Sequence, residues 1–200
     1  MRIINVEQLK RVLGDLPANP RVVASGNFAT PKVLLGAVDE VVPEYRLHML
    51  NARKGIPDRQ GVTYETAFVG PGMRGSARLD YVPCRLSLVP VLFRDSLRPD
   101  VVLLHASSRR FDTVSLGTEV NILPAAIESA RAHGGLVIVQ ANEQMPYTYG
   151  DAQIYENEID YLVEVDVPLP THSPGPLDDV SRQIGELIAA RVEDNSTLQL

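Results

Sequence analysis

Two hundred residues make one ample domain, and the length alone favours one over two small ones. Hydrophobic residues at 44% and charged residues at 22% predict a packed core rather than a disordered chain. The 19 basic against 25 acidic side chains, net −6, exclude a densely cationic nucleic-acid face, and the single cysteine, Cys84, excludes an internal disulfide and a multi-cysteine metal site.

The amino-terminal run MRIINVEQLKRVL lacks the apolar stretch and small-residue cleavage site of a signal peptide. No segment approaches the ~18 consecutive apolar residues of a membrane span, so a soluble cytoplasmic protein is expected. Val6, Leu9, Val12 and Leu13 recur at helical spacing behind a capping box of Asn5 and Gln8. RVVAS then reads as a buried strand and SGNFAT as its loop. Thr30 as cap and Pro31 at the first helical position open the helix PKVLLGAVDEVV, which stops before Pro43. YRLHML and YETAFVG are predicted strands, the second ending in GPGMRG. Ser87 to Leu97 has a helical pattern interrupted by Pro90. DVVLLHASS is a buried strand, PAAIESARAHGG a helix ended by Gly134 and Gly135, and LVIVQAN the next strand. YLVEVDVPLP is a further strand, and THSPGP is a break. Leu177, Val180, Ile184, Leu187, Ile188 and Val192 trace one face of a final amphipathic helix. The closing DNSTLQL reads as a turn and the opening of a strand, so the chain looks cut near 194–200. No repeat period is visible. Strands alternating with helices predict an α/β fold, a mostly parallel sheet with helices on both faces.

In such sheets ligands gather beyond the carboxyl ends of the strands. Three predicted strands end in small or polar clusters: RVVA in SGNFAT, VVLL in HASSRR, and LVIV in QANEQMPYTYG. If they are parallel neighbours their loops share one rim. The last cluster is then either a solvated turn or the lip of a site. Gly70–Gly75 (GPGMRG) matches G-x-G-x-x-G after a strand, but Pro71 removes an N–H from a phosphate cradle. SARLDYVPC leaves only a turn or two of helix after it, and no acid lies at ribose-binding distance. A tight turn is the better reading. His48, His105, His133 and His172 are scattered without metal-ligand spacing, so no metal is expected. G-x-S-x-G is absent. Cys84 reads as a small buried thiol, and Glu143 as a carboxylate indistinguishable from a surface one.

The run AFVGPGMRGSARLDYVPCRLS, then DVVLLHASS, TVSLGTEVN, AAIESAR, VIVQANEQMPYTYGD, EIDYLVEVDVPLP and DNSTLQ resembles, in order, the acetyl-CoA hydrolase / 4-hydroxybutyrate CoA-transferase family. The likeness covers most of the chain from about Tyr64 onward, and SGNFATP resembles the family's first strand-to-helix turn. Asn142, Met145, Pro146 and Gly150 form a rather specific signature of it. The resemblance implies the first of two similar α/β domains spanning 1–200, with the second, glutamate-bearing domain absent. It implies CoA transfer between an acyl-CoA and a small carboxylic acid (acetate or 4-hydroxybutyrate type) through a glutamyl-CoA thioester, with this half inactive alone. The acyl-CoA hydrolase half, and a non-catalytic CoA- or nucleotide-binding subunit, are the alternatives. Coenzyme A and acyl-CoA enter as substrates, with no covalently bound cofactor. The missing domain or a partner subunit, and a homo-oligomer, are the expected partners, and neither nucleic acid nor membrane is expected. The substrate-binding candidates are Ser25, Gly26, Asn27 and Phe28; Gly70 and Pro71; and Gln140, Asn142, Met145 and Pro146. Arg74 reads as an exposed charge, and Glu143 does not fall at the family's nucleophile position.

Overall fold

Asn5 caps the first helix as its sequence predicts: its Oδ1 accepts the Gln8 N–H at 2.9 Å while the Gln8 side chain accepts the Asn5 N–H at 3.0 Å. The computed structural model describes residues 1–172 and 175–199. Its strands are β1 (Arg2–Ile3), β2 (Arg21–Ala24), β3 (Tyr45–His48), β4 (Val62–Thr66), β5 (Leu79–Tyr81), β6 (Val101–Ser107), β7 (Thr113–Ser115), β8 (Leu136–Asn142), β9 (Gln153–Tyr155) and β10 (Tyr161–Val165). Its helices are α1 (Val6–Leu13), α2 (Lys32–Val41), α3 (Val89–Arg94), α4 (Leu123–His133) and α5 (Asp179–Ala189). The chain divides into two compact units, Met1–Leu169 and Pro170–Leu200.

In the first unit, eight strands form one parallel sheet in the order β1-β10-β8-β6-β2-β3-β4-β5. A separate antiparallel ribbon pairs β7 with β9. β6 is buried at every position, and its side chains alternate between two cores. Val101 and Leu103 join Leu9, Leu34 and Val38 beneath α1 and α2. Val102, Leu104 and Ala106 join Phe93, Ala126, Ile127 and Ala130 beneath α3 and α4. Helices therefore cover both faces, as the alternation of elements predicts.

Four local expectations need correcting. Thr30 does not cap α2: its hydroxyl donates back to the Asn27 carbonyl at 2.9 Å, and Pro31 occupies the cap position. Pro90 does not interrupt α3 but lies in its first turn, where the missing N–H has no partner to lose. SARLDYVPC supplies the edge strand β5 rather than a helical turn, because Leu79–Tyr81 pairs with β4. Residues 194–199 hold a turn and no strand, and Leu200 lies outside the described residues. The predicted break THSPGP includes residues 173 and 174, which also lie outside them.

In the second unit, Asp178 caps α5 by accepting the Ser181 N–H at 2.6 Å. Val180, Ile184, Leu187 and Ile188 recur at helical spacing and are more than half exposed. No helix among the described residues is long and apolar enough to cross a membrane.

Candidate functional site

The three strands whose polar ends are expected to share a rim are indeed neighbours, in the order β8-β6-β2. From β2 the chain winds outward through β3, β4 and β5, then returns to β6 on the other side of β2. That reversal between β2 and β6 opens a crevice at the carboxyl rim, where open α/β sheets bind ligands.

Close backbone approach builds the β2–β3–β4 side of this rim. A Cβ on Gly26 would lie 2.0 Å from the Leu50 carbonyl oxygen, so the loop after β2 rests directly on the loop after β3. A Cβ on Gly70 would lie 2.4 Å from the backbone of Asn51 and Ala52, which brings GPGMRG onto the same loop. Three of its five N–H groups are already spent: Gly72 donates to Ala52 O at 2.7 Å, and Met73 and Arg74 donate to Gly70 O at 3.2 and 3.1 Å. That is a packed turn rather than a phosphate cradle, and the dinucleotide reading loses most of its donors. Asn27 and Asn51 both adopt a left-handed φ of 47°. Asparagine tolerates this conformation better than other non-glycine residues, and such positions concentrate at functional sites.

The loops after β2 and β3 border an open cavity of about 420 Å³, completed by the segments around Phe68, Ser87 and Asn121. Its polar lining is Asn27, Asn51, Ser87, Glu119 and Asn121. Leu50, Phe68, Leu86, Pro90 and Ile122 supply the apolar lining. Glu119, 9% exposed, accepts a hydrogen bond from Asn121 Nδ2 at 2.5 Å. Burial pushes its carboxyl above the ordinary range, and the Asn121 and Asn27 amides only partly oppose this.

Of the residues singled out from the sequence, Asn27 alone lines this cavity. Ser25 is fully buried, and its hydroxyl accepts the His105 N–H at 3.2 Å, stitching β2 to β6. Gly26 and Gly70 are spacers. Phe28 lies beneath the Arg53 guanidinium at 4.4 Å, and Pro71 is exposed. Met145 is buried against Gly117, whose φ of 64° and missing Cβ make room for the thioether. Pro146 follows it on the same loop, its carbonyl against Gly117.

Gln140 and Asn142 belong to the other half of the rim. Both are still within β8, and both are buried. Gln140 Oε1 accepts the Val33 N–H at the start of α2, at 3.1 Å. Asn142 Oδ1 accepts the Gln144 and Val167 N–H groups at 3.2 and 3.1 Å, while its Nδ2 donates to Val167 O at 2.8 Å. With both amides oriented this way, their NH₂ groups point at His105 Nε2, at 3.3 Å from Gln140 and 3.0 Å from Asn142. Nε2 must therefore be the acceptor, which leaves the imidazole neutral with its proton on Nδ1. Burial brings the His105 pKa down to about 4, against the pull of the Thr30 and Ala29 backbone. Beside them, Glu143 is exposed.

A second buried polar group went unnoticed in the sequence. Glu65 on β4 is 1% exposed and is bound by Arg21 at 2.8 Å and Arg46 at 3.0 Å, from the two preceding strands. Burial alone would raise its pKa, but the two guanidinium groups outweigh it and hold the carboxyl below the ordinary range. His48, fully buried at 3.9 Å from Glu65, packs edge-on against Phe93, and neither ring nitrogen has a hydrogen-bond partner. Burial lowers its pKa to about 4. Only the spacing of four polar residues across adjacent strands could have revealed this cluster, and strand register is not legible in one sequence. Among the described residues, no three histidine, cysteine or acidic side chains gather as a metal would require.

Fold and pocket together define an open α/β domain with a cavity at the switch point of its sheet. A sequence profile described as the acetyl-CoA hydrolase/transferase N-terminal domain matches residues 62–170, more than half the chain, and the protein belongs to that family. It is 33% identical to the 4-hydroxybutyrate coenzyme A transferase of Clostridium kluyveri over 96% of this chain and 47% of that protein. It is 32% identical to the succinyl-CoA:acetate/propanoyl-CoA:succinate CoA transferase of Fasciola hepatica over 93% of this chain and 41% of that one. The chain thus spans about half the length of the curated relatives it matches. Among solved structures, RipA from Yersinia pestis superposes with a TM-score of 0.85 at 20% identity, covering 98% of this chain and 49% of that one.

Proposed function

We propose that this chain forms the acid-binding wall of a CoA-transferase cleft, in an enzyme that moves CoA between an acyl-CoA and a small carboxylic acid of the acetate or 4-hydroxybutyrate type. The nucleophilic glutamate comes from a second domain or a partner subunit, and the 200-residue chain alone does not turn over. The observation that carries this reading is the cavity of about 420 Å³ at the switch point, a largely apolar surface with a few polar side chains among its lining, in a chain of this family. The transferase names of the relatives favour transfer over hydrolysis.

In the proposed reaction the glutamate carboxylate attacks the thioester carbonyl and expels CoA thiolate, leaving an acyl-glutamyl anhydride. The thiolate then attacks the glutamyl carbonyl, which releases the first acid and forms glutamyl-CoA. The acceptor carboxylate repeats the two steps in reverse order and leaves as the new acyl-CoA, regenerating the glutamate. Each step exchanges one activated acyl bond for another of similar energy. This wall contributes by holding the acid's tail in the cavity, so that its carboxylate faces the attacking group, and by keeping water off the anhydride. Leu50, Phe68 and Ile122 provide the dry surface for that.

A thioester-exchange assay with acetyl-CoA and 4-hydroxybutyrate on the chain alone is expected to give no exchange. Exchange that is abolished by Glu119→Gln would move the nucleophile onto this chain and overturn the assignment.

A further inference from the structure

We infer that Glu119 is a specificity-determining residue that admits acids with an uncharged, hydrogen-bond-donating tail and turns away dicarboxylic acids. The inference rests on the acid-binding reading above. Among the described residues lining the cavity, Glu119 carries the only charge. Asn27, Asn51, Ser87 and Asn121 are neutral, and no arginine or lysine joins them.

An acid bound here cannot place its reacting carboxylate beside Glu119. Two like charges a few ångströms apart in a partly desolvated space repel, unless one takes up a proton at further cost. The acid must therefore enter tail first, its carboxylate left at the mouth, where the reaction needs it. A distal second carboxylate would meet the same repulsion with no cation to relieve it. A hydroxyl at that end meets an acceptor instead. A carboxylate offers about four lone-pair sites, and the Asn121 and Asn27 amides take only part of that capacity. The methylenes between the two ends of the acid lie along Leu50 and Ile122.

The test is an amide-shift titration of the isotope-labelled chain at neutral pH with succinate, monomethyl succinate and 4-hydroxybutyrate. 4-Hydroxybutyrate supplies the hydroxyl donor, and monomethyl succinate, one methyl group larger than succinate and without a donor, removes one charge alone. It is expected to bind about tenfold more tightly than succinate, with 4-hydroxybutyrate at least as tight, and with shifts at Asn27, Glu119 and Asn121. Glu119→Gln is expected to bring succinate within about threefold of its monoester. The comparison of the two ligands in the unsubstituted chain decides the matter even if the variant fails to fold. Equal binding of succinate and its monoester in this cavity, or a preference that survives Glu119→Gln, overturns the inference and leaves the acid-binding reading standing. Shifts from none of the acids at these residues overturn both.

Discussion

On the β6–β8 side of the carboxyl rim, His105 Nε2, Gln140 and Asn142 bond to one another and to the backbone of α2 and Val167, and His105 Nδ1 is left buried without a partner. On the β2–β3 side, Asn27, Asn51 and Glu119 border an open cavity. The first half has the denser polar sequence and is closed. The second is built from residues scattered over three loops, and its hydrogen-bonding capacity is only partly used. A binding site is marked by capacity left over beside a void, and polar density alone does not reveal it.

Acid should have the largest effect, through one buried histidine on each side, His105 on β6 and His48 on β3. His48 and His105 stay neutral in the folded protein down to about pH 4, whereas in the unfolded chain they take up protons below about 6.5. Their contribution is therefore complete above pH 6.5 and is lost as pH falls toward 4. Between pH 7.5 and 5.0 the two together should remove about 4 kcal/mol from the urea-unfolding free energy. Glu119, with its raised pKa, works the other way and returns a little stability on protonation. His48→Leu, which removes two unpartnered nitrogens from a site against Phe93, should halve the acid loss at little cost at pH 7.5. An identical pH response in the variant would mean that His48 titrates normally.

Asn142→Ala should come next. It strands the Val167 N–H and carbonyl and the Gln144 N–H, removes one of the two amide donors to His105 Nε2, and should cost about 3 kcal/mol in urea unfolding. A loss below about 1 kcal/mol would show that water replaces the amide easily, and that this half is as open as the other.

Much of the architecture was legible because it rests on local rules. The Asn5–Gln8 box, the unbroken apolar run of β6 and the Gly134 stop with φ 77° each carry their reason in neighbouring residues. The likeness to the family was legible from ordered segments such as VIVQANEQMPYTYGD. The short edge strands β1 and β5 were not, since two or three residues show no period, and pairing with β10 and β4 makes them strands. The cavity was legible only through Asn27. Glu119 and Asn121 stand in TVSLGTEVN, quoted for its likeness alone, and only the fold carries them to the Leu50–Asn51 loop. Gln140 and Asn142 of QANEQ continue the inward alternation of β8, where burial is satisfied by hydrogen bonds instead of by apolar contact, and that is not legible in the run itself.

The smallest effect gives the finest test of the contrast. Asn27 holds φ at 47°, a conformation glycine adopts without strain and alanine at about 1 kcal/mol. Asn27→Gly raises the conformational entropy of the unfolded chain but relieves the left-handed strain, so its urea midpoint should shift by no more than about 0.5 kcal/mol equivalent. The same change removes an amide from the cavity and from the Glu119 carboxylate, so 4-hydroxybutyrate should bind several-fold more weakly. Stability unchanged with binding lost is the signature of a residue kept for its ligand. If Asn27→Gly instead destabilises as much as Asn142→Ala, both halves of the rim are structural, and the cavity is only the space they leave.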